Sequence, residues 1–384
     1  MTSSNSPSSQ APSSPESGAA SMVARIAGLI GLLFFFLVSI KLLESGIKIL
    51  GADYTDNLFQ GVSNPLAGLA AGILATVLVQ SSSVTTSTIV ALVGSGTLTV
   101  ELAVPMIMGA NIGTTITNTL VSLGSMGRRA DFRRAFAAAT VHDFFNILAV
   151  AIFLPLQVMT GFLSTWAGWL AHMLPVGDAG GQFNSPIKSA VKEVSHWVQS
   201  LFESTGASGG WLSTMMLLIG LVLIFISLTA ITKLMRKVIA DKAEKAVNKA
   251  LRKAGILGIV IGMLITFAVQ SSSITTSLMV PLCASGVLTL DNAFPVMLGA
   301  NIGTTITAFL ASLATDINGL HIALVHVLFN VLATGMIYPF RFMRGIPIRM
   351  ARGLAIAAVR NKVTVLVYIF VMFILTPLLT LVLL

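Results

Sequence analysis

The chain has 384 residues, 55% of them hydrophobic and only 10% charged, with a formal charge of +9. An ordinary soluble domain carries roughly 25% charge, so this composition excludes a water-soluble globule and puts most of the surface against lipid. The basic excess sits in short stretches, with eight Lys and Arg in 233–253, four in 128–134 and six in 341–362, which speaks for a cytoplasmic face beside anionic lipid and against a nucleic-acid partner.

In chain order, residues 1–21 are rich in Ser and Pro, with no basic start and no apolar centre. They predict a disordered tail rather than a signal peptide, and the N-terminus is expected in the cytoplasm. Residues 22–64 hold a first span near 26–50 and an outer loop. Further apolar runs lie near 65–93, 102–123, 135–157, 211–232, 255–283, 293–314, 320–340 and 363–384. The run 211–232 carries no charge. At about 1.5 Å per residue it reaches roughly 33 Å, enough for a hydrocarbon core of about 30 Å. Backbone groups at that depth must bond internally and the pattern is not that of a barrel, so the expected fold is an all-α polytopic membrane protein. The one cysteine, Cys283, excludes an intrachain disulfide.

Residues 80–123 and 270–313 align without a gap at an offset of 190, and 27 of the 44 positions are identical. The identities include QSSS at 80–83 and 270–273 and GANIGTTIT at 109–117 and 299–307. They fall on polar residues and glycines, which shared apolar composition does not explain. Repeat one (65–174) ends at the basic residues Arg128 to Arg134, whereas repeat two (255–345) follows the basic run Lys233–Lys253. The copies are therefore expected to be inverted in the bilayer, as in many secondary transporters. Each would contain a re-entrant helical hairpin at QSSS and a broken spanning helix at GANIGTT. An outer linker (175–210), a span with a basic cytoplasmic segment (211–254) and a cytoplasmic segment with a C-terminal hydrophobic helix (346–384) complete the division.

Seven of the eight residues from Gln80 to Ser87, and from Gln270 to Ser277, carry a side-chain hydrogen-bonding group inside an otherwise apolar run. Unpartnered, such groups cost several kcal/mol each at membrane depth, so they must line a cavity or bond one another. In GANIGTT, Asn111, Thr114, Thr115 and Asn118 share a helix face, as do Asn301, Thr304 and Thr305, with Ala308 replacing Asn118. These are hard, neutral oxygens, and no carboxylate lies inside either motif. Such a cage suits a monovalent cation, while helix N-termini freed at breaks suit an anion. Two further pairs, His142/Asn146 and His326/Asn330, fall at i, i+4 and would brace these ligands from behind. Nothing resembles a GxSxG elbow, which argues against a serine hydrolase and against an enzyme; a passive channel is the remaining alternative.

The doubled QSSS, the PxxMGANIGT run and DFRRAFAAATVHDFFN resemble the type II sodium-dependent inorganic phosphate cotransporter family, over roughly 65–345. The resemblance implies sodium-coupled symport of inorganic phosphate, with Na+ as coupling ion and no other metal or cofactor. It implies phosphate contacts from Gln80, Ser81, Ser82, Ser83, Gln270, Ser271, Ser272 and Ser273. A sodium site would use Gln270, Ser271, Ala300, Asn301, Thr304 and Thr307, and a related one Gln80, Ser83, Asn111 and Thr114. Chemistry alone leaves sulfate, arsenate or a carboxylate open as the anion. The short, cysteine-free linker implies a bacterial member in the inner membrane.

Overall fold

The computed structural model describes residues 15–50, 64–174, 186–251 and 255–384, except for the side chains of 15–22, 187 and 236–251. In chain order the first helices are α1 (Pro15–Leu50), α2 (Pro65–Val79), α3 (Ser82–Gly94), α4 (Val100–Gly113), α5 (Ile116–Ser122), α6 (Arg129–Thr160), α7 (Phe162–Met173) and α8 (Pro186–Ser204). Then follow α9 (Gly209–Leu251), α10 (Ile256–Val269), α11 (Ser272–Ala284), α12 (Leu290–Ser312), α13 (Ile317–Ile337), α14 (Arg341–Arg360), α15 (Val363–Phe370) and α16 (Thr376–Leu383). No strand occurs among the described residues. Among the described residues, seven stretches are long and apolar enough to cross a membrane, including the C-terminal Val363–Leu383. The protein is an all-α polytopic membrane protein. The helix α1 begins at Pro15, inside the expected tail; residues 1–14 and the outer loop at 51–63 lie outside the described residues.

The helices α2, α3, α10 and α11 hold 13 to 15 residues. At about 1.5 Å per residue they reach roughly 22 Å at most, too short for a full crossing. Each pair folds back as a hairpin, and glycine spacing fixes its direction. A Cβ on Gly72, Gly109 or Gly113 would strike the carbonyls of Met106, Leu69 and Ile73 respectively. From Leu69 on Gly109 to Ile73 on Gly113 the residue numbers rise together, so α2 runs parallel to α4 with their backbones in contact. Gly262, Gly299 and Gly303 meet Val296, Ile259 and Met263 in the same way, each 190 residues on. Small residues permit this close approach in a membrane, where packing rather than water drives association.

The two hairpins point at each other. Ser83 at the tip of the first lies beside Thr307 of α12, and Gly94 at its base lies against Thr315 beyond the end of α12. The helix α3 therefore runs parallel to α12 and opposite to α4. The base of the second hairpin is held at the other end, where Arg134 Nε of α6 donates to the Ala284 carbonyl at 2.8 Å.

The broken spanning helix expected in both repeats occurs in repeat one and not in repeat two. In repeat one the helix is interrupted at Thr114 and Thr115, between α4 and α5, where the Thr115 N–H bonds the Ile112 carbonyl three residues back while right-handed dihedrals persist. In repeat two, α12 is continuous through GANIGTT. The glycines that suggested a break form the crossing with α2 and α10. The upstream Pro105 and Pro295 are accommodated inside α4 and α12.

Outside the repeats, α1 and α9 pack antiparallel, with Gly46 against Leu217, Gly220 against Leu43, and the Ser213 hydroxyl on the Gly46 carbonyl at 2.7 Å. Glu44 is buried on α1 between Lys41 at 2.9 Å and Lys48 at 2.7 Å, which keeps that charge compensated. The amphipathic stretch of the expected linker is α8, which buries Val191 and Ser195 one turn apart.

Candidate functional site

Both hairpin tips turn at a glutamine. Gln80 (φ 55°) and Gln270 (φ 54°) are the non-glycine residues with positive φ among the described residues. This left-handed turn ends α2 and α10 and lets Ser81 and Ser271 extend, at φ −152° and −149°, as N-caps of the next helices. A side chain in that backbone region costs on the order of 1–3 kcal/mol, and such strain gathers at binding sites. One difference separates the copies: the Ser81 hydroxyl accepts from the Val84 N–H at 3.3 Å, whereas Ser271 makes no such cap.

All eight QSSS residues line one cavity of about 400 Å³. Its walls include the first turns of α3 and α11, so two helix N-termini converge on one space with unpaired N–H groups. Such ends favour negative charge. The Ser83 hydroxyl lies 3.4 Å from both the Gln270 carbonyl and the Thr307 hydroxyl, in reach of either across the repeat boundary. Within repeat one the Thr117 hydroxyl points to Gln80 Oε1 at 3.5 Å. Gln270 Oε1 is buried with no hydrogen-bond partner among the described residues. A larger cavity, of about 520 Å³ and lined by Arg133, Arg134, Asp291 and Arg352, contains no residue of either QSSS.

The expected sodium residues divide. Gln80, Ser83, Gln270, Ser271 and Thr307 gather at the tips. Thr114 and Thr304 are buried, and their hydroxyls bond the carbonyls of Ala110 at 2.8 Å and Ala300 at 2.9 Å within their own helices. Asn111 and Asn301 belong to a buried network between the repeats. His142 Nε2 is 2.6 Å from Asn301 Oδ1, while His326 Nε2 is 3.5 Å from Asn111 Oδ1. Each histidine thus reaches the asparagine of the opposite copy, a reciprocal contact of the kind a two-fold axis produces. Asn146 joins the halves: its Nδ2 donates to the Asn111 carbonyl at 2.9 Å, and its Oδ1 accepts from Asn301 Nδ2 at 2.8 Å. Asn330 instead donates to the His326 carbonyl at 3.0 Å. The network is tight in one half and loose in the other.

Several residues at the site escaped sequence reasoning. Thr117 is the 190-residue counterpart of Thr307, and the repeat could have identified it. Asn118, which the spacing already placed on the face of Asn111 and Thr114, was not assigned a partner; its Oδ1 accepts from Thr276 at 2.9 Å and Ser277 at 3.1 Å, tying the second hairpin to α5. Thr229, Thr232 and Lys233 of α9 also line the QSSS cavity. Their signal was slight, two hydroxyls and the first charge at the end of an apolar run.

Residues 35–171 and 223–374 match the family described as Na+/Pi-cotransporter. The chain is similar to sodium-dependent phosphate transport protein 2B of Pongo abelii, 33% identical over an alignment covering 93% of this chain and 65% of that protein. The protein of the same description from Homo sapiens is 33% identical, over 93% of this chain and 64% of its own length. Sodium-dependent phosphate transport protein 2A of Rattus norvegicus is 34% identical, over 91% of this chain and 66% of that one. The chain spans just under two thirds of the length of these curated relatives. No solved structure matches it.

Proposed function

The chain belongs to the Na+/Pi-cotransporter family, and from that premise we propose that it is a secondary active transporter, carrying inorganic phosphate into the cell with sodium by alternating access. The observation that carries this reading is the meeting of both QSSS tips on one cavity. Phosphate sits between the N-termini of α3 and α11, with serine hydroxyls and first-turn N–H groups around it. Sodium takes the neighbouring oxygens, among them the unpartnered Gln270 Oε1, the Thr307 hydroxyl and the Ser83 hydroxyl. Neither ion alone finds a counter-charge within the two motifs, so each offsets the desolvation of the other. Coupling follows from that mutual dependence.

Alternating access uses the antiparallel pairing of the repeats. The copies meet through hairpin tips, a His/Asn network and apolar packing that includes Phe145 on Phe294 and Phe153 on Phe329, and in this reading one rocks against the other around the cavity. In this reading the repeats are inverted across a bacterial inner membrane, with the N-terminus and the basic end of α9 in the cytoplasm. The divisions 65–174 and 255–345 are the two transport repeats.

Sealed vesicles with an imposed sodium gradient test the proposal. Labelled phosphate should accumulate above its external concentration, and should stop accumulating when potassium replaces sodium. Ser81→Ala and Ser271→Ala should each weaken uptake and shift its sodium dependence. Sodium-independent equilibration would indicate a channel instead.

A further inference from the structure

Among the described residues, Lys233 is the one charged side chain on the wall of the QSSS cavity. It belongs to a stripe of α9, with Phe225, Leu228, Thr229 and Thr232, at the i, i+3, i+4, i+7, i+8 spacing of one helix face. A lysine ending an apolar span ordinarily extends to the lipid headgroups. This one lies on the face turned toward the hairpin tips, with Thr232 beside it and Thr229 one turn back, and it joins no ion pair among the described residues. The serine tips supply only neutral donors, and phosphate at neutral pH carries more than one negative charge. An exposed ammonium on a flexible stem can meet that charge as a point partner without a fixed fork.

We propose that Lys233 is a phosphate-binding residue supplied by α9: when the cavity opens along this helix, its ammonium pairs with the oxyanion held by the two QSSS tips. The inference rests on the sodium–phosphate reading above and adds a component outside both repeats. It makes the site asymmetric, because the inverted copies alone would present the same neutral groups to both sides. Its action is confined to the face that Lys233 borders, which the basic run after it assigns to the cytoplasm.

Phosphate exchange in everted and right-side-out membrane vesicles, at saturating sodium, tests this. In everted vesicles Lys233→Gln should raise the half-saturating phosphate concentration roughly three- to fivefold, as expected for a solvent-accessible charge pair. The shift should shrink as ionic strength rises. Lys233→Arg, which keeps the charge, should recover most of the affinity and shows that the fold tolerates the position. Right-side-out vesicles should show a smaller shift. An unchanged half-saturation for Lys233→Gln in everted vesicles overturns the proposal. So does a shift that vanishes in proteoliposomes of purely zwitterionic lipid, since the partner is then an anionic lipid headgroup. Wild-type exchange that ignores sodium overturns the transport reading itself, and this inference with it.

Discussion

At the scale of single residues, the two strained glutamines are the most informative feature. Glycine would adopt the backbone of Gln80 and Gln270 without strain, so a side chain held at φ 55° and 54° must be there for its amide. Gln270→Gly should leave thermal stability in detergent unchanged, or raise it by about 1 kcal/mol, while abolishing sodium-dependent uptake. A loss of stability would mean that the amide serves the fold and not the ions. QSSS was legible as a polar cluster out of place in an apolar run, but its left-handed turn was not, because glutamine gives no local sign of positive φ. The same limit applies to Ser87. Its counterpart Ser277 bonds Asn118, yet the counterpart of Asn118 is Ala308, and the Ser87 hydroxyl is buried with no partner among the described residues. The substitution could be read from the repeat. Its consequence required knowing which helix faces which.

At the scale of elements, the glycine crossings set the direction of each hairpin. Gly299→Ala would push a methyl into the Ile259 carbonyl, and Gly109→Ala into that of Leu69. Each should lower stability by about 1–3 kcal/mol, read as an earlier melting transition. Gly335→Ala in α13 has open space around it and should be neutral or slightly stabilising. In repeat two the same glycines misled sequence reasoning about a helix break, because Gly-xxx-Gly with an upstream proline fits both a kink and a close crossing. The C-terminal helix is fastened at one polar point, where the Tyr368 hydroxyl donates to Asp143 Oδ2 at 2.5 Å in an otherwise apolar contact. Tyr368→Phe leaves a fully buried carboxyl without its donor, and should cost about 1–3 kcal/mol in the same melting assay. An unchanged melting transition would show that Asp143 finds another partner.

At the scale of the whole molecule, the apolar runs carried the helical class, and the constant 190-residue offset carried the pairing of the motifs and most of the cavity wall. The contribution of α9 was not legible, since a span outside the repeats has no second copy against which to compare it. What unites the molecule is the exchange of partners between the copies: His142 to Asn301, His326 to Asn111, Ser83 to Gln270. The proposed consequence is that sodium and phosphate share one site and make each other's burial tolerable. Thermodynamic linkage makes that claim quantitative, because two ligands that favour one another must do so by the same factor. The most direct measurement is equilibrium binding of labelled phosphate to the purified protein across a sodium titration, with the reciprocal titration of sodium at fixed phosphate. The account predicts that sodium tightens phosphate roughly 5- to 150-fold, the usual range for coupled sites, and that phosphate tightens sodium equally. Phosphate affinity that is the same with and without sodium would contradict it.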